Sequence, residues 1–381
     1  MSYAVEDRVG GRVQQFWDAP LATKVFWLLQ VGVALEFIGH GMAGLWRAPS
    51  WIPYYTFFGF SKEFAHDHLY YLTGTFDVTI GLLMLFWPNR AVMLHMAVWG
   101  LFTAFLRPLT GESFFEVVER GANYGMPAAL LLLSGWGMAL FRTPSLRSWF
   151  GRVRPPASFT EDLAHRLDWV MRGSIALLLI GHGGLGVWAH KPEWITFFGW
   201  FGVSSSTVAA QHLSQWVGIF EIALGLAVLV KPLRSLLLFV LVYKVGTELL
   251  RPLVGQNNYQ FIERAGDYVL PVTLIMVLTW LRAHADQTVS PAWAAVKVAV
   301  TSAVRPAPAP VFSAATYVPS YPWAAVTTTT GPQPNGNGHG SSNGNGNGHG
   351  ARGDTPTAPD PEVVRAAAAL SARLASRRVD V

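Results

Sequence analysis

Long apolar runs separated by short polar loops set the pattern of this chain. A helix that crosses a bilayer needs about 20 mostly apolar residues. Eight such runs can be marked, near Val25–Trp46, Leu69–Trp87, Ala91–Leu106, Tyr124–Leu140, Trp169–Trp188, Leu213–Val230, Ser235–Leu250 and Tyr268–Trp280. The third, seventh and eighth are short and need their flanks to span. The N-terminus mixes Glu6, Asp7, Arg8 and Arg12, and no small-residue cleavage site follows its apolar run. It reads as an uncleaved first span and not as a signal peptide.

The pattern repeats. Ile38-Gly39-His40-Gly41 returns as Ile180-Gly181-His182-Gly183, and Thr56-Phe57-Phe58-Gly59 as Thr196-Phe197-Phe198-Gly199. His68-Leu69 returns as His212-Leu213, Phe76-Asp77 as Phe220-Glu221, and Leu106-Arg107-Pro108-Leu109 as Leu250-Arg251-Pro252-Leu253. Glu119-Arg120 matches Glu263-Arg264, and Asn123-Tyr124 matches Asp267-Tyr268. The chain therefore reads as two homologous four-helix units. An even number of spans gives both units one orientation, with a pseudo-twofold axis along the membrane normal. The expected fold is all-α: a polytopic membrane protein of eight transmembrane helices as two parallel four-helix repeats, with a disordered C-terminal tail.

Composition narrows the function. Of 381 residues, 51% are hydrophobic and 13% charged, and the mean hydropathy is +0.30. Soluble domains carry roughly 25% charged residues, so a soluble enzyme is excluded as the default. Cysteine is absent, which removes disulfides, thiolate metal sites and cysteine nucleophiles. The net charge of +5 resides in short loops and the tail. It signals topology and not a nucleic-acid surface. Lys and Arg are denser on the face that holds the N-terminus, the connector between halves and the C-terminus. Both termini are accordingly expected in the cytoplasm, and the protein in the plasma (inner) membrane.

The organisation expected is a cytoplasmic segment over 1–24, a first membrane repeat over 25–141 and a basic cytoplasmic connector over 142–166. A second repeat over 167–282 and an interfacial helix within 283–304 follow. Residues 305–360 form a low-complexity linker, rich in Pro, Thr, Asn and Gly, that cannot build a core. His339 and His349 within it read as solvated residues before they read as metal ligands. Asp360, as an N-cap before Pro361, opens a short cationic amphipathic helix over 361–381.

Ionisable groups within a bilayer are costly and are the first candidates for chemistry. Asp77 and Glu221 lie at equivalent places in the second helix of each unit, about 12 Å from its start at 1.5 Å per residue. They can relay protons, bind a cation or hold a polar substrate; the alternative is a neutral carboxylic acid bonded to a neighbouring helix. His40 and His182, each between two glycines, stand toward the outer end of the first helices. His68 and His212 form a second symmetric pair. Two such pairs make bis-His haem conceivable, but with no CxxCH motif haem has little support, and no metal site is expected. Arg107 with Glu119 and Arg120, and Arg251 with Glu263 and Arg264, bracket the loop between the third and fourth helices. They are expected to form an ion-pair network across that loop, either structural or anion-binding. Pro108 and Pro252 are expected to end the preceding helices. Glu36, His95, Lys244 and Glu248 occur in one half only, which suggests that one half carries function and the other supports it. The second half is the more densely charged. The aromatic stretches Trp51–Phe60 and Trp194–Trp200 read as interfacial belts, or as a lid over a lipid-soluble substrate.

Each half resembles the DoxX-like family of four-helix membrane proteins. The residues that carry the resemblance are the glycine-rich first helices (Gly39 to Gly44, Gly181 to Gly186) and the acid-x-x-x-Gly of the second helices. The latter reads Asp77-Val-Thr-Ile-Gly81 and Glu221-Ile-Ala-Leu-Gly225. The basic turns Pro88-Asn89-Arg90 and Lys231-Pro232-Leu233-Arg234 complete it. The likeness covers about residues 25–282. It implies membrane redox work, as in subunits of thiosulfate:quinone oxidoreductase and components of oxidative-stress complexes; the cofactor is left open, with quinone one candidate, and other membrane redox subunits are candidate partners. The chain departs from the family pattern in its duplication, its Gly-His-Gly, its long outer loops and its lack of Cys. Three functions follow as expectations: a redox subunit handling quinone or a small sulfur species, a small-solute or proton-coupled transporter using the paired carboxylates, and a non-catalytic scaffold in the lipid bilayer.

Overall fold

The computed structural model describes residues 14–136, 145–189, 192–203 and 208–288. The tail expectations beyond residue 288, including the linker and the cationic helix, lie outside the described residues. Those described form an all-helical unit. Its elements are α1 (Leu21–Leu45), α2 (Ile52–Phe57), α3 (Lys62–Phe86), α4 (Arg90–Leu109), α5 (Phe115–Glu119), α6 (Gly121–Leu133) and α7 (Leu146–Phe150). They continue with α8 (Glu161–Ala189), α9 (Pro192–Trp200), α10 (Val208–Val230), α11 (Arg234–Leu253), α12 (Tyr259–Glu263) and α13 (Ala265–Thr288).

Six helical segments are long and apolar enough to cross a membrane: α1, α3, α4, α8, α10, and α12 with α13. The chain is a membrane protein. Two of the eight expected runs stand apart for different reasons. α11 has the length, but carries Arg234, Lys244, Glu248 and Arg251. α6 ends at Leu133, short of the expected Leu140, where Gly135 at φ +86° turns the chain.

Other boundaries move as well. α3 begins at Lys62, ahead of Leu69, because a π-helical turn over Ala65–Leu69 joins its first turn to the rest. α8 begins at Glu161, ahead of residue 167, capped by Thr160. α13 runs to Thr288, so the start of the 283–304 segment continues the last helix. Pro108 and Pro252 do not end their helices; α4 and α11 each run one residue past them. The 142–166 connector folds back on the bundle. Arg90 donates to Ser148 O and Ser134 O, Val153 N donates to Pro88 O, and Val153 and Phe159 are buried.

The first helices form the centre. α1 packs along α3 and also against α6 and α12; α8 packs along α10 and against α5 and α6. Thus α1 meets a short helix from the second half, and α8 meets one from the first. The two Gly-His-Gly motifs make both contacts possible. A Cβ at Gly41 or Gly183 would overlap the backbone of α3 at Gly74 or of α10 at Gly218. A Cβ at Gly39 or Gly181 would overlap the backbone at Glu263 or Glu119. Small residues at such crossings let backbones approach within van der Waals contact, the main attraction between helices in lipid. Leu29, Val33, Met126, Leu130, Met171, Ile175 and Leu274 fill the interior. Phe76, Leu82, Phe102, Phe105, Phe220, Leu238 and Val242 are exposed, as lipid-facing positions should be.

Gly41→Ala and Gly181→Ala are each expected to lose about 1–3 kcal/mol through overpacking, read as a lower thermal midpoint in detergent. Gly173→Ala, where an added Cβ meets nothing, is expected to hold or gain up to about 1 kcal/mol from helix propensity.

Candidate functional site

The histidine of each Gly-His-Gly points to the carboxylate on its own second helix. His40 Nδ1 lies 2.7 Å from Asp77 Oδ2. His182 Nδ1 lies 3.3 Å from Glu221 Oε1 and Oε2. Asp77 and Glu221 are both buried. The structure thus brings four predicted residues together as two His–carboxylate dyads. A carboxylate on Nδ1 orients the imidazole and leaves Nε2 as the nitrogen available elsewhere.

His40 and His182 line separate cavities, and each stands near a glutamate of the other half, Glu263 and Glu119 respectively. His182 Nε2 faces Glu119 Oε1 at 3.5 Å, so that ring is held between two carboxylates. His40 lies in the wall of a cavity of about 200 Å³. Trp51, Tyr54, Tyr55, Phe58 and Phe60 enclose that cavity on one side, and Trp99, Phe102, Thr103, Arg107 and Arg120 on the other. The Trp51–Phe60 stretch is therefore more than a belt. Trp51 is buried, its ring 4.7 Å from that of His40 and stacked 6.1 Å from that of Tyr70. Tyr70 OH donates to Ala48 O at 2.6 Å and pins the loop to α3. Tyr54 OH donates to Glu112 at 2.5 Å, and the Arg107 guanidinium lies over the Tyr54 ring. Burial pushes the Tyr55 phenol up to about 12 and the Tyr54 phenol higher, so both remain hydrogen-bond donors at neutral pH.

The corresponding space in the second half is about 70 Å³, lined by His182, Trp194, Phe197, Phe198, Tyr243 and Arg251 among others. Polar groups in and beside it pair with one another. Tyr243 OH donates to Glu221 at 2.9 Å. Lys244 Nζ lies 3.1 Å from both Glu248 and Asp267, and Arg251 pairs with Glu248. The first half has Trp99, Gly100, Ala104 and Asn123 at these places. Lys244 and Glu248 do neutralise each other, but as part of a four-residue chain that ties α11 to α13. The dense charge of the second half is thus internal, and the larger cavity is in the first.

The Arg–Glu network is not confined to single loops. Arg107 binds Glu112 at 2.9 Å and Glu116 at 3.3 Å within its own loop. Glu119 and Arg120 reach across to the second half. Arg264 Nη1 lies 2.5 Å from Glu119 Oε1, and Arg120 Nη1 3.5 Å from Glu263 Oε1. Equivalent residues have exchanged partners between the halves. Helix spacing cannot show this, since it places Glu119 and Arg120 in one loop and is silent on what packs against it.

His68 and His212 fall outside the site: both are exposed, and the His68 ring rests on Phe64. No group of three or more His, Asp and Glu able to hold a metal occurs among the described residues. Sequence reasoning missed Tyr243, Trp99, Asn123 and Asp267 as site residues. The only available signal was the Asn123–Asp267 correspondence, which also marks Glu36, bonded to Asn123. Compared with family models, with curated proteins and with solved structures, the chain matches none.

Removing one member of a buried pair leaves an uncompensated charge and costs about 3–5 kcal/mol. Glu119→Gln and Arg264→Met are each expected to lose that order of stability, and the double variant clearly less than their sum. Thermal melts of the four proteins in one detergent measure the coupling. Simple additivity would show that the pair does not carry the interface.

Proposed function

We propose that the chain is the membrane subunit of a redox system, and that its first half binds a quinone-type ring beside the His40–Asp77 dyad. The observation that carries this reading is the 200 Å³ cavity itself. It is walled by aromatic rings, is reached by one imidazole and backed by a buried carboxylate. An apolar cavity of roughly 150 Å³ takes one benzene molecule, so this one suits a single substituted ring. Ligand sites of this kind combine an apolar lining with a few placed polar groups. His40 Nε2 donates to a ring carbonyl or accepts from a ring hydroxyl, and Asp77 steadies the imidazole in either role. The resemblance of each half to DoxX-like proteins points the same way, as does the recurrence of contacts that two parallel four-helix repeats with eight spans would make. In this reading the second half is the structural copy, both termini lie in the cytoplasm and the bilayer is the plasma (inner) membrane.

A transport pathway along the axis draws less support. It needs the two carboxylates to share a conduit, whereas Asp77 and Glu221 each engage the histidine of their own half. The space between the halves is taken up by glycine contacts and crossed ion pairs.

The test is titration of the purified protein in detergent with a short-chain ubiquinone analogue, read by quenching of tryptophan fluorescence; Trp51 and Trp99 line the cavity. Saturable quenching is expected. Loss of one hydrogen bond, worth about 0.5–1.5 kcal/mol, should make His40→Ala bind roughly 3- to 10-fold more weakly. Trp194→Phe, in the second half, should stay within about twofold. Absence of saturable quenching, or equal losses in both variants, would overturn the reading.

A further inference from the structure

Behind the ring cavity lies a smaller chamber of about 20 Å³. The two adjoin across His40, Trp99, Thr103 and Arg120, which line both. Glu36, Gly100 and Asn123 form part of the far wall. Three of the buried polar atoms that find no hydrogen-bond partner among the described residues belong to this lining: Glu36 Oε2, Trp99 Nε1 and Arg120 Nε. Glu36 is 2% exposed and Arg120 7%. Unpaired buried polar groups are expensive and rarely left so.

The volume suits one oxygen atom, since a water needs at least about 10–15 Å³ by the same kind of measure. The chemistry specifies that oxygen further. Trp99 and Arg120 supply fixed donors. Glu36 supplies a carboxyl that donates when protonated and accepts when ionised. A carbonyl oxygen satisfies the first state and a hydroxyl the second.

The second half shows what the chamber replaces. Gly100 stands where that half has Lys244, whose ammonium bridges Glu248 and Asp267. Leu178 stands in place of Glu36. The first half therefore lacks the lysine that fills this space in the other, and has gained a carboxyl facing it.

We infer that this chamber seats one oxygen of the ring ligand, with Glu36 as its acid–base partner and Trp99 and Arg120 as its donors. The inference rests on the ring-binding reading of the first half and adds a second polar contact to it. One edge of the ring meets His40, and an oxygen passes between Trp99 and Arg120 to Glu36. A methyl group on that oxygen has no room. The site therefore takes quinones and hydroquinones and rejects their ethers, which selects for the chemical class of the ligand and not merely for its shape.

The experiment is calorimetric titration of the full chain in detergent with duroquinone and with the dimethyl ether of its hydroquinone. Wild type is expected to bind duroquinone at least about tenfold more tightly than the ether, because the O-methyl group keeps that oxygen out of the chamber and leaves its buried polar groups unpaired. Glu36→Leu, the residue of the second half, should bring the ratio to near one by weakening duroquinone alone. Glu36→Gln should keep duroquinone within about threefold of wild type, since an amide still offers a donor. If Glu36→Leu does not fold, Trp99→Phe removes one donor and should cut the ratio by about threefold. Equal binding of the two compounds by wild type, or a ratio unmoved by Glu36→Leu and Trp99→Phe, would show that no ligand oxygen enters the chamber, while leaving the ring site intact. Binding of neither compound would overturn the ring site and this inference together.

Discussion

The Glu119–Arg264 pair sets the architecture of the interior. Both residues are buried, and a charge in that setting is tolerable only when paired at short range. The partner comes from the other half of the chain, so the halves must approach closely. Closeness requires that α1 and α8 present no side chain where α12 and α5 arrive, and Gly39 and Gly181 meet that requirement. With the glycine fixed there, the next residue along each helix is the histidine. Its position relative to the second helix is then set by the close crossing at Gly41 or Gly183. The dyads are in this sense a consequence of how the buried ion pairs are brought together. The placement of His40 against Asp77 and of His182 against Glu221 follows from backbone contact and needs no flexible side chain to find its partner.

From that common frame the halves diverge through a few side chains. A tyrosine at 243 reaches Glu221, and a lysine at 244 draws Glu248 and Asp267 into one cluster with Arg251. These groups occupy the space that the frame leaves open. Trp99, Gly100, Ala104 and Asn123 occupy the matching places in the first half. Trp99 is as large as Tyr243 but carries only a donor, which cannot reproduce a hydroxyl's dual role. Gly100 contributes no side chain at all. The outcome is a cavity with polar atoms in its walls instead of a closed salt-bridge cluster. The charges of the second half pair internally, whereas the first half keeps the larger of the two cavities.

Much of this was legible in the chain. Apolar runs gave the main helices, because lipid imposes length and polarity on every span. The cost of burying a carboxyl singled out Asp77 and Glu221, and repetition singled out His40 and His182. Boundaries were less legible: the π-helical turn at Ala65–Leu69 and the early stop at Leu133 depend on local geometry that hydropathy does not carry. Partner choice was illegible for a deeper reason. Glu119 and Arg120 are neighbours in sequence, yet each pairs with a residue of the other half. His68 and His212 repeat as faithfully as His40 and His182, yet lie exposed. Repetition along the sequence does not by itself separate a site from a surface. Nor could the small chamber be read, since part of its wall is the absence of a side chain at Gly100.

The polar atoms left unpaired in the first half bear on what the cavity is for. An unsatisfied buried donor or acceptor costs about 1–3 kcal/mol, and Glu36, Trp99 and Arg120 each contribute one beside the same chamber. The second half shows that this scaffold can close the same region with paired charges. The second half also holds buried polar atoms without a hydrogen bond, at His182 and Asp267, while the first half gathers three beside one chamber. In the proposed reading, a ligand oxygen that meets all three groups would recover their hydrogen bonds at once. The same groups that destabilise the unliganded bundle would then supply the selectivity of the liganded one.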